Sequence, residues 1–163
     1  MSLEGKSPDY WVKATNFLSE NDEILAGIIE RKFHPLLTSK GDVFLTLVRS
    51  IVGQQISNIA AESVWGRLQN TVGPITPDNI LSTDQETMRE CGLSYRKASY
   101  IIGVAENWNS GMGEIDWESM PDDEVVKILT SIKGVGLWTA EMILIFSLLR
   151  PDIFPMGDIG AIR

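Results

Sequence analysis

Residues 129–140 read LTSIKGVGLWTA and carry the strongest structural signal in the chain. Gly134 and Gly136 stand two positions apart between two patterns of apolar residues with helical spacing. Glycine adopts the positive φ of a tight reversal and has no Cβ to obstruct a neighbouring group. A helix that follows such a turn presents unpaired N–H groups and a positive dipole end, which suit a phosphate oxygen. The segment predicts two helices joined by a hairpin; in the plain alternative, its glycines only turn the chain.

The rest of the chain repeats apolar residues at three- and four-residue spacing, as a helix with one buried face does. No segment shows the two-residue alternation of a half-buried strand. The predicted helices are 22–33 after a cap at Asn21 or Asp22, one beginning at Gly41-Asp42, 58–71 capped by Ser57, 77–81, one from the capping box at 83–86 to Gly92, 94–108, 119–131 capped by Ser119, and 137 to about 149, with 109–113 as a loop. The fold class is predicted to be all-α.

A length of 163 residues, with 44% hydrophobic and 22% charged side chains, allows one compact folded domain or two small lobes that share a core. A single cysteine, Cys91, excludes an internal disulfide and any iron–sulfur or zinc site that needs several thiolates. The apolar runs are too short to cross a membrane, and no basic segment followed by an apolar one opens the chain. We expect an intracellular monomer without membrane contact.

The net charge of −8, from 14 basic and 22 acidic side chains, argues at first against a nucleic-acid partner. The acidic residues are unevenly placed, however. Seven of them lie between Val104 and Glu124 without an intervening Lys or Arg, so the rest of the chain is nearly neutral: Glu106, Glu114, Asp116, Glu118, Asp122, Asp123 and Glu124. One acidic edge can face away from a polyanion while a nearly neutral face binds it.

Three segments together resemble a known family. They are FLTLVRSIVGQQIS at 44–57 followed by Ala60-Ala61, GLSYRKA at 92–98, and residues 132–146 with DIFPMGD at 152–158. In this combination the chain resembles the helix-hairpin-helix (HhH-GPD) DNA glycosylase superfamily and is most similar to its 3-methyladenine DNA glycosylase II branch. The resemblance implies two helical lobes with a cleft between them in a single domain, 1–163, comprising an N-terminal helical segment 1–41, a DNA-facing lobe 42–118, and the hairpin with its catalytic loop 119–163.

Family members continue past the position of Asp158 with further helices, so we expect this chain to be truncated at its C-terminal end. The resemblance implies base excision repair: double-stranded DNA is bound, an alkylated purine is flipped out, and its N-glycosidic bond is hydrolysed. No cofactor is required for this reaction. The four-cysteine iron–sulfur loop of the endonuclease III branch is not present.

The resemblance assigns the catalytic carboxylate to Asp158, which in the plain alternative only caps a helix after Gly157. Asp152, the other acid of this loop, is interpreted as solvated or capping. Trp138 stands where the family's lyase members carry a lysine nucleophile, so base removal without strand cleavage is expected. Trp138 and Met142 are assigned to the base pocket, where the indole can stack on a cationic base; the alternative for Trp138 is a core position.

The remaining assignments concern contacts with DNA. Gln55 falls at the wedge that fills the gap left by the flipped nucleotide, whereas the adjacent Gln54 can equally satisfy local backbone. Arg96 and Lys97 either contact the DNA backbone or are solvated. Phosphate contacts are assigned to Gly134, Val135, Gly136 and Thr139. The carbonyls of Thr130, Ile132 and Val135 are assigned to a hairpin-bound Na⁺, K⁺ or Mg²⁺.

Other functions remain open at this point. A noncatalytic helix-hairpin-helix module would use the hairpin only to hold DNA. An all-α protein-interaction domain with a coincidental GVG turn would not bind duplex DNA at all. Within the enzyme class, the target could be a mismatched or deaminated base instead of an alkylated purine.

Overall fold

A computed structural model describes residues 5–31 and 37–158, and within these ranges the chain is helical and contains no strand. The helices are α1 Trp11–Asn21, α2 Glu23–Arg31, α3 Val43–Gly53, α4 Asn58–Val72, α5 Pro77–Leu81, α6 Gln85–Glu90, α7 Tyr95–Asn109, α8 Asp122–Ser131 and α9 Leu137–Phe146, with a single 3-10 turn at Met112–Glu114. The all-α prediction is confirmed. The end of the predicted helix 22–33 lies outside the described residues.

Most of the helices begin at a short polar residue whose side-chain oxygen accepts a hydrogen bond from a backbone N–H of the first turn, which has no carbonyl partner within the helix. Asp22 and Asp42 accept from the N–H groups of Ile24 and Phe44 at 2.8 and 2.6 Å, and Ser57 and Ser94 cap α4 and α7 in the same way. Gly92 has φ +98° after α6, the left-handed conformation that ends a helix. These local signals were readable in the sequence, and the structure confirms them.

The predicted capping box at 83–86 is wrong by one residue. Asp84, and not Thr83, caps α6, accepting from the N–H and the hydroxyl of Thr87 at 2.9 and 2.6 Å. The Thr83 hydroxyl donates instead to the carbonyl of Asn79, so it is already used by the preceding helix. The hydrogen bonds from Thr87 lower the pKa of the Asp84 carboxyl.

Two further helix boundaries differ from the prediction. The Ser119 hydroxyl donates to the carbonyl of Asp116 at 3.3 Å, and α8 begins later, with Pro121 at the N-cap position. Helix α9 ends at Phe146 instead of about Leu149. There the N–H of Lys40 donates to the Phe146 carbonyl at 2.7 Å, and Leu149 has φ +54°, so a contact from a distant segment accompanies the end of the helix.

A single core is built around α3, which packs on α4, α7 and α9. Leu47, Val48 and Ile51 of α3 have no exposed surface, and Leu129 of α8 and Ile143 of α9 join them. Each such side chain contributes roughly 1.5–3 kcal/mol through removal of its apolar surface from water. Because α8 and α9 pack against each other and α9 also packs against α3, the core holds the turn between α8 and α9 in place.

Candidate functional site

The hairpin, residues 132–136, joins α8 to α9 with a tight internal turn. The N–H of Ile132 donates to the carbonyl of Leu129 at 3.1 Å, and the N–H of Val135 donates to the carbonyl of Ile132 at 3.0 Å. Gly134 has φ +93°, and a Cβ at this position would collide with the ring of Tyr100. Gly134 is therefore required by its backbone conformation and by an internal neighbour.

Gly136 occupies a different environment. It is the N-cap residue of α9, has φ −96°, and a Cβ there would meet no atom within 4 Å among the described residues. No side chain caps α9 within the described ranges, so the N–H groups of its first turn, which form the positive end of the helix dipole, have no internal cap. An anion is the natural acceptor for such a helix end.

The four residues predicted to contact phosphate differ in solvent exposure. Gly136 is exposed and Gly134 is partly exposed, whereas the side chains of Val135 and Thr139 are only 5% and 3% exposed. The Val135 N–H already donates to Ile132. Any contact at Thr139 would therefore involve its N–H in the first turn of α9 more readily than its buried hydroxyl.

Asp158 and Trp138 are brought together. The indole Nε1 of Trp138 donates to Oδ2 of Asp158 at 2.7 Å, and the N–H of Asp158 donates to the carbonyl of Pro155 at 2.9 Å. A hydrogen bond to an ionised acceptor is stronger than a neutral one, so the indole orients the carboxylate and stabilises its charge. Asp158 is partly exposed and Trp138 is 43% exposed, which excludes the buried core position considered for this tryptophan.

Two other predicted residues lie near this pair in the sequence. Met142 follows Trp138 by four residues on α9, so both side chains lie on the same helix face, and Met142 is partly buried. Asp152 is exposed at the beginning of the segment that leads to Asp158. The exposure of Asp152 agrees with its interpretation as a solvated acid.

Gln55 lies in a turn at the end of α3, residues 53–56, which we call the wedge turn after the role expected of Gln55. Gln54 has φ −54° and ψ 128°, Gln55 has φ +58°, and the N–H of Ile56 approaches the carbonyl of Gly53 at 3.5 Å. A non-glycine residue at positive φ costs about 1–2 kcal/mol. This strained conformation presents an exposed Gln55 side chain at the surface of the molecule.

The adjacent Gln54 has a structural role, but not a local one. Its Nε2 donates to the carbonyl of Gly134 at 3.0 Å, across 80 positions of sequence. Lys97 donates to the carbonyl of Val52 at 2.8 Å, and burial of the ammonium group lowers its pKa. Arg96 donates to the Tyr100 hydroxyl at 3.1 Å. The Arg96–Tyr100 bond lies within α7, whereas the bonds from Gln54 to the hairpin and from Lys97 to the end of α3 join segments far apart in the sequence, and no local sequence pattern predicts them.

The carbonyls assigned to a cation belong to the end of α8 and the hairpin. Backbone carbonyls are hard oxygen donors of the kind that Na⁺, K⁺ and Mg²⁺ accept, and the C-terminal end of a helix dipole favours positive charge. Thr130 lies in the last turn of α8, and the Ile132 carbonyl also accepts the hydrogen bond from Val135. No group of three or more His, Cys, Asp or Glu side chains is placed to hold a metal among residues 5–31 and 37–158.

Three of the seven acidic residues lie at the opposite end of α8 from the hairpin. Asp122, Asp123 and Glu124 occupy the first turn of α8, whereas the hairpin follows its last turn, about 15 Å away for ten helical residues. A cavity of about 380 Å³ at this acidic end is lined by residues that include Asp42, Trp108 and Ser147. It adjoins the end of α9 that is remote from Trp138.

In the part of the chain that the structure describes, no helix meets the length and hydropathy needed to span a membrane.

In sequence, the chain is similar to two yeast proteins. DNA-3-methyladenine glycosylase 1 of Schizosaccharomyces pombe is 37% identical over 126 residues, which cover 74% of this chain and 55% of that protein. DNA-3-methyladenine glycosylase of Saccharomyces cerevisiae is 35% identical over 133 residues, which cover 75% of this chain and 45% of that protein. The chain spans about half the length of these curated relatives.

The fold also matches a solved structure, S. pombe 3-methyladenine DNA glycosylase in complex with abasic DNA. The TM-score is 0.78 at 34% identity, and the match covers 90% of this chain and 75% of that one. Residues 48–163 match the sequence profile of the HhH-GPD superfamily of base excision DNA repair proteins. The resemblance inferred from the sequence is confirmed: the chain belongs to the HhH-GPD superfamily of base excision DNA repair proteins.

Proposed function

We propose that the protein is a monofunctional DNA glycosylase that hydrolyses the N-glycosidic bond of alkylated purines, of the 3-methyladenine type, in double-stranded DNA. The observation that carries the proposal is the hydrogen bond of 2.7 Å from Trp138 Nε1 to Asp158 Oδ2, at the first turn of the helix that follows the hairpin. It places an oriented carboxylate beside a helix end suited to phosphate. The names of the relatives in both yeasts agree with this reaction.

The chemistry requires one carboxylate. A purine alkylated on a ring nitrogen carries positive charge, so it departs with the electron pair of the C1′–N bond without needing a general acid. Asp158 stabilises the positive charge that develops on the sugar and orients the water whose oxygen bonds to C1′. The proton lost from that water passes to the carboxylate or to solvent. A glycosidase with a neutral, poor leaving group needs a second carboxyl group.

Strand cleavage is not part of the proposed reaction. A lyase forms a Schiff base between a lysine and the sugar, and the residue at that position is Trp138, which has no amine. The exposed indole instead offers a face on which a flipped cationic base can stack, with Met142 on the same face of α9.

The DNA contacts complete the proposal. The hairpin and the N-terminal turn of α9 bind a phosphate through the backbone N–H groups of Gly134, Gly136 and Thr139, with Gly136 the most open of these positions. Val135, whose N–H donates to the Ile132 carbonyl, contributes by holding the turn in shape. Gln55 fills the gap left by the flipped nucleotide. A cation held by the carbonyls of Thr130, Ile132 and Val135 would add positive charge beside that phosphate. The protein acts as a monomer inside the cell, where its substrate is, and requires no other cofactor.

The deciding experiment is a release assay with the purified protein. Duplexes that carry 3-methyladenine, 7-methylguanine or 1,N6-ethenoadenine are incubated, and both the free base and strand nicking are measured. We expect free alkylated base and an intact strand until alkali is added. Nicking without alkali would contradict the monofunctional mechanism. Tight duplex binding without base release would instead identify a noncatalytic DNA-binding module.

A further inference from the structure

We propose that Gln54 is a positioning residue that fixes the wedge turn, residues 53–56, against the hairpin, residues 132–136, and thereby sets how deeply Gln55 enters DNA. This inference rests on the proposed function, because it assumes that the hairpin holds a phosphate while Gln55 fills the gap. It assigns to Gln54 a role different from that of its neighbour.

The two DNA-facing segments are far apart in the sequence, and Gln54 joins them directly. Its own N–H donates to the carbonyl of Ile51 at 3.3 Å, which ties its backbone to α3. Its side chain is partly buried and donates through Nε2 to the carbonyl of Gly134 at 3.0 Å. Gln55 is the next residue, so the position of the wedge follows from the position of this bond.

The bond also acts on the peptide unit that orients the hairpin. The Gly134 carbonyl accepts from Gln54, and the N–H of the same peptide unit, at Val135, donates to the carbonyl of Ile132. Both polar ends of the unit are therefore held, and it cannot rotate without breaking a hydrogen bond. Because Gly136 comes next, the direction of its N–H depends on this unit.

Helix α7 supports the connection from behind. The ring of Tyr100 lies against the Cα of Gly134, and the ammonium group of Lys97 donates to the carbonyl of Val52 at 2.8 Å. Lys97 and Tyr100 are three residues apart, so they project from the same side of α7. One helix face thus contacts the end of α3 and the hairpin at once, and Gln54 closes the remaining gap between them.

The conformation of the wedge turn places the side chains of the two adjacent glutamines in different environments. Gln54 is partly buried and bonded inward, whereas Gln55 is exposed at positive φ. A strained backbone conformation such as that of Gln55 persists only where the surrounding structure holds it in place, and the hydrogen bond from Gln54 to Gly134 helps to do so.

The test compares Gln54→Met, which keeps the length of the side chain but removes its donor, with the control Asn79→Leu. Asn79 also donates an amide hydrogen to a backbone carbonyl, that of Pro74, at 2.8 Å. It lies on α5, which contacts the far end of α7 through the Asp78–Asn109 bond. Both variants lose one amide-to-carbonyl hydrogen bond, but only Gln54→Met loses the link between the DNA-facing segments.

The probe is a duplex with a tetrahydrofuran abasic site and 2-aminopurine opposite it, whose fluorescence reports insertion of the wedge. We expect Gln54→Met to lose about threefold to tenfold in its preference for this duplex over undamaged DNA, which is the effect of one hydrogen bond, together with most of the fluorescence change. Asn79→Leu should retain both. Unchanged fluorescence in Gln54→Met, or an equal loss in Asn79→Leu, would overturn the proposal.

A second measurement needs no DNA. Amide hydrogen exchange at residues 53–57 and 132–136 should accelerate in Gln54→Met and stay unchanged in Asn79→Leu, and equal exchange in the two variants would overturn the connection itself. Neither readout requires base release. A wild-type protein that inserts its wedge but releases no alkylated base would refute the proposed function and leave the role of Gln54 supported.

Discussion

Asp158 and Trp138 form the most specific pairing at the level of single residues, because an indole N–H meets a carboxylate oxygen at 2.7 Å. Asp158→Asn keeps the shape of the side chain and an oxygen for Trp138, but removes the negative charge that we propose stabilises the sugar cation. We expect the single-turnover rate of base release to fall by about 100-fold or more, with duplex affinity largely retained.

The control for this prediction is Asp152→Asn, which removes an exposed carboxylate from the segment just before Asp158. Its rate should match that of the wild type. Equal activity of Asp158→Asn and the wild type would reject the assignment of the catalytic carboxylate.

Trp138→Phe separates the two functions assigned to the indole. A phenyl ring can still stack on a flipped base but cannot donate to Asp158. Hydrogen bonds to charged groups contribute about 1.5–3 kcal/mol, so we expect the single-turnover rate to fall roughly 10- to 100-fold. Trp11→Phe, on α1, serves as the control and should change little. An undiminished rate in Trp138→Phe would show that orientation of Asp158 does not depend on this bond.

At the level of the element, the two hairpin glycines are expected to respond differently to alanine. Gly134→Ala places a Cβ at φ +93° against the Tyr100 ring, so thermal unfolding should show a loss of about 1–3 kcal/mol in the free energy of unfolding. Gly136→Ala adds a methyl group in open space at negative φ, so the free energy of unfolding should fall by only about 0.5–1 kcal/mol, because alanine is a poorer N-cap residue than glycine.

For DNA affinity, measured per folded molecule, we expect the opposite ranking: Gly136→Ala should lose more than Gly134→Ala. The methyl group of Gly136→Ala stands where the phosphate is proposed to approach, so this variant should bind duplex DNA less tightly than the wild type in a fluorescence anisotropy titration. If Gly136→Ala binds normally, the phosphate does not approach the hairpin at that glycine.

Helices were predictable from the sequence wherever their signals are local. Ser57, Ser94 and Gly92 mark boundaries through their own side chains or backbone preferences, and these predictions are confirmed. The predicted end of α9 was wrong, because the contact from Lys40 to Phe146 is made by a residue over 100 positions away.

In the candidate site too, features set by local sequence could be predicted and features set by long-range contacts could not. The hairpin could be read from two glycines within one short segment. The bond from Gln54 to Gly134 could not, since it joins residues 80 positions apart and depends on how α3 and α7 pack. The pairing of Trp138 with Asp158 also requires the fold, although both residues had been assigned to the site separately.

For the whole molecule, the proposed reliance on backbone N–H groups instead of Lys and Arg predicts a shallow dependence of DNA affinity on salt concentration. Backbone N–H groups provide most of the proposed phosphate contacts, so few bound cations are released. We expect a slope of log affinity against log salt of about −1 to −3. Glu114→Gln, at the acidic edge, should leave the slope unchanged, whereas a slope steeper than about −5 would indicate a cationic surface instead.

The three acidic residues in the first turn of α8 and the hairpin after its last turn stand at opposite ends of one helix, so negative charge is concentrated at the end remote from the hairpin. Within about 10 Å of a duplex, which is the range over which salt leaves charges unscreened, repulsion turns the acidic end outward. Collisions then begin with Lys133 and the glycines foremost, although the net charge opposes collision. A preferred orientation combined with a net charge that repels DNA should keep contacts with intact DNA brief, which is what the proposed function requires of a search for rare lesions.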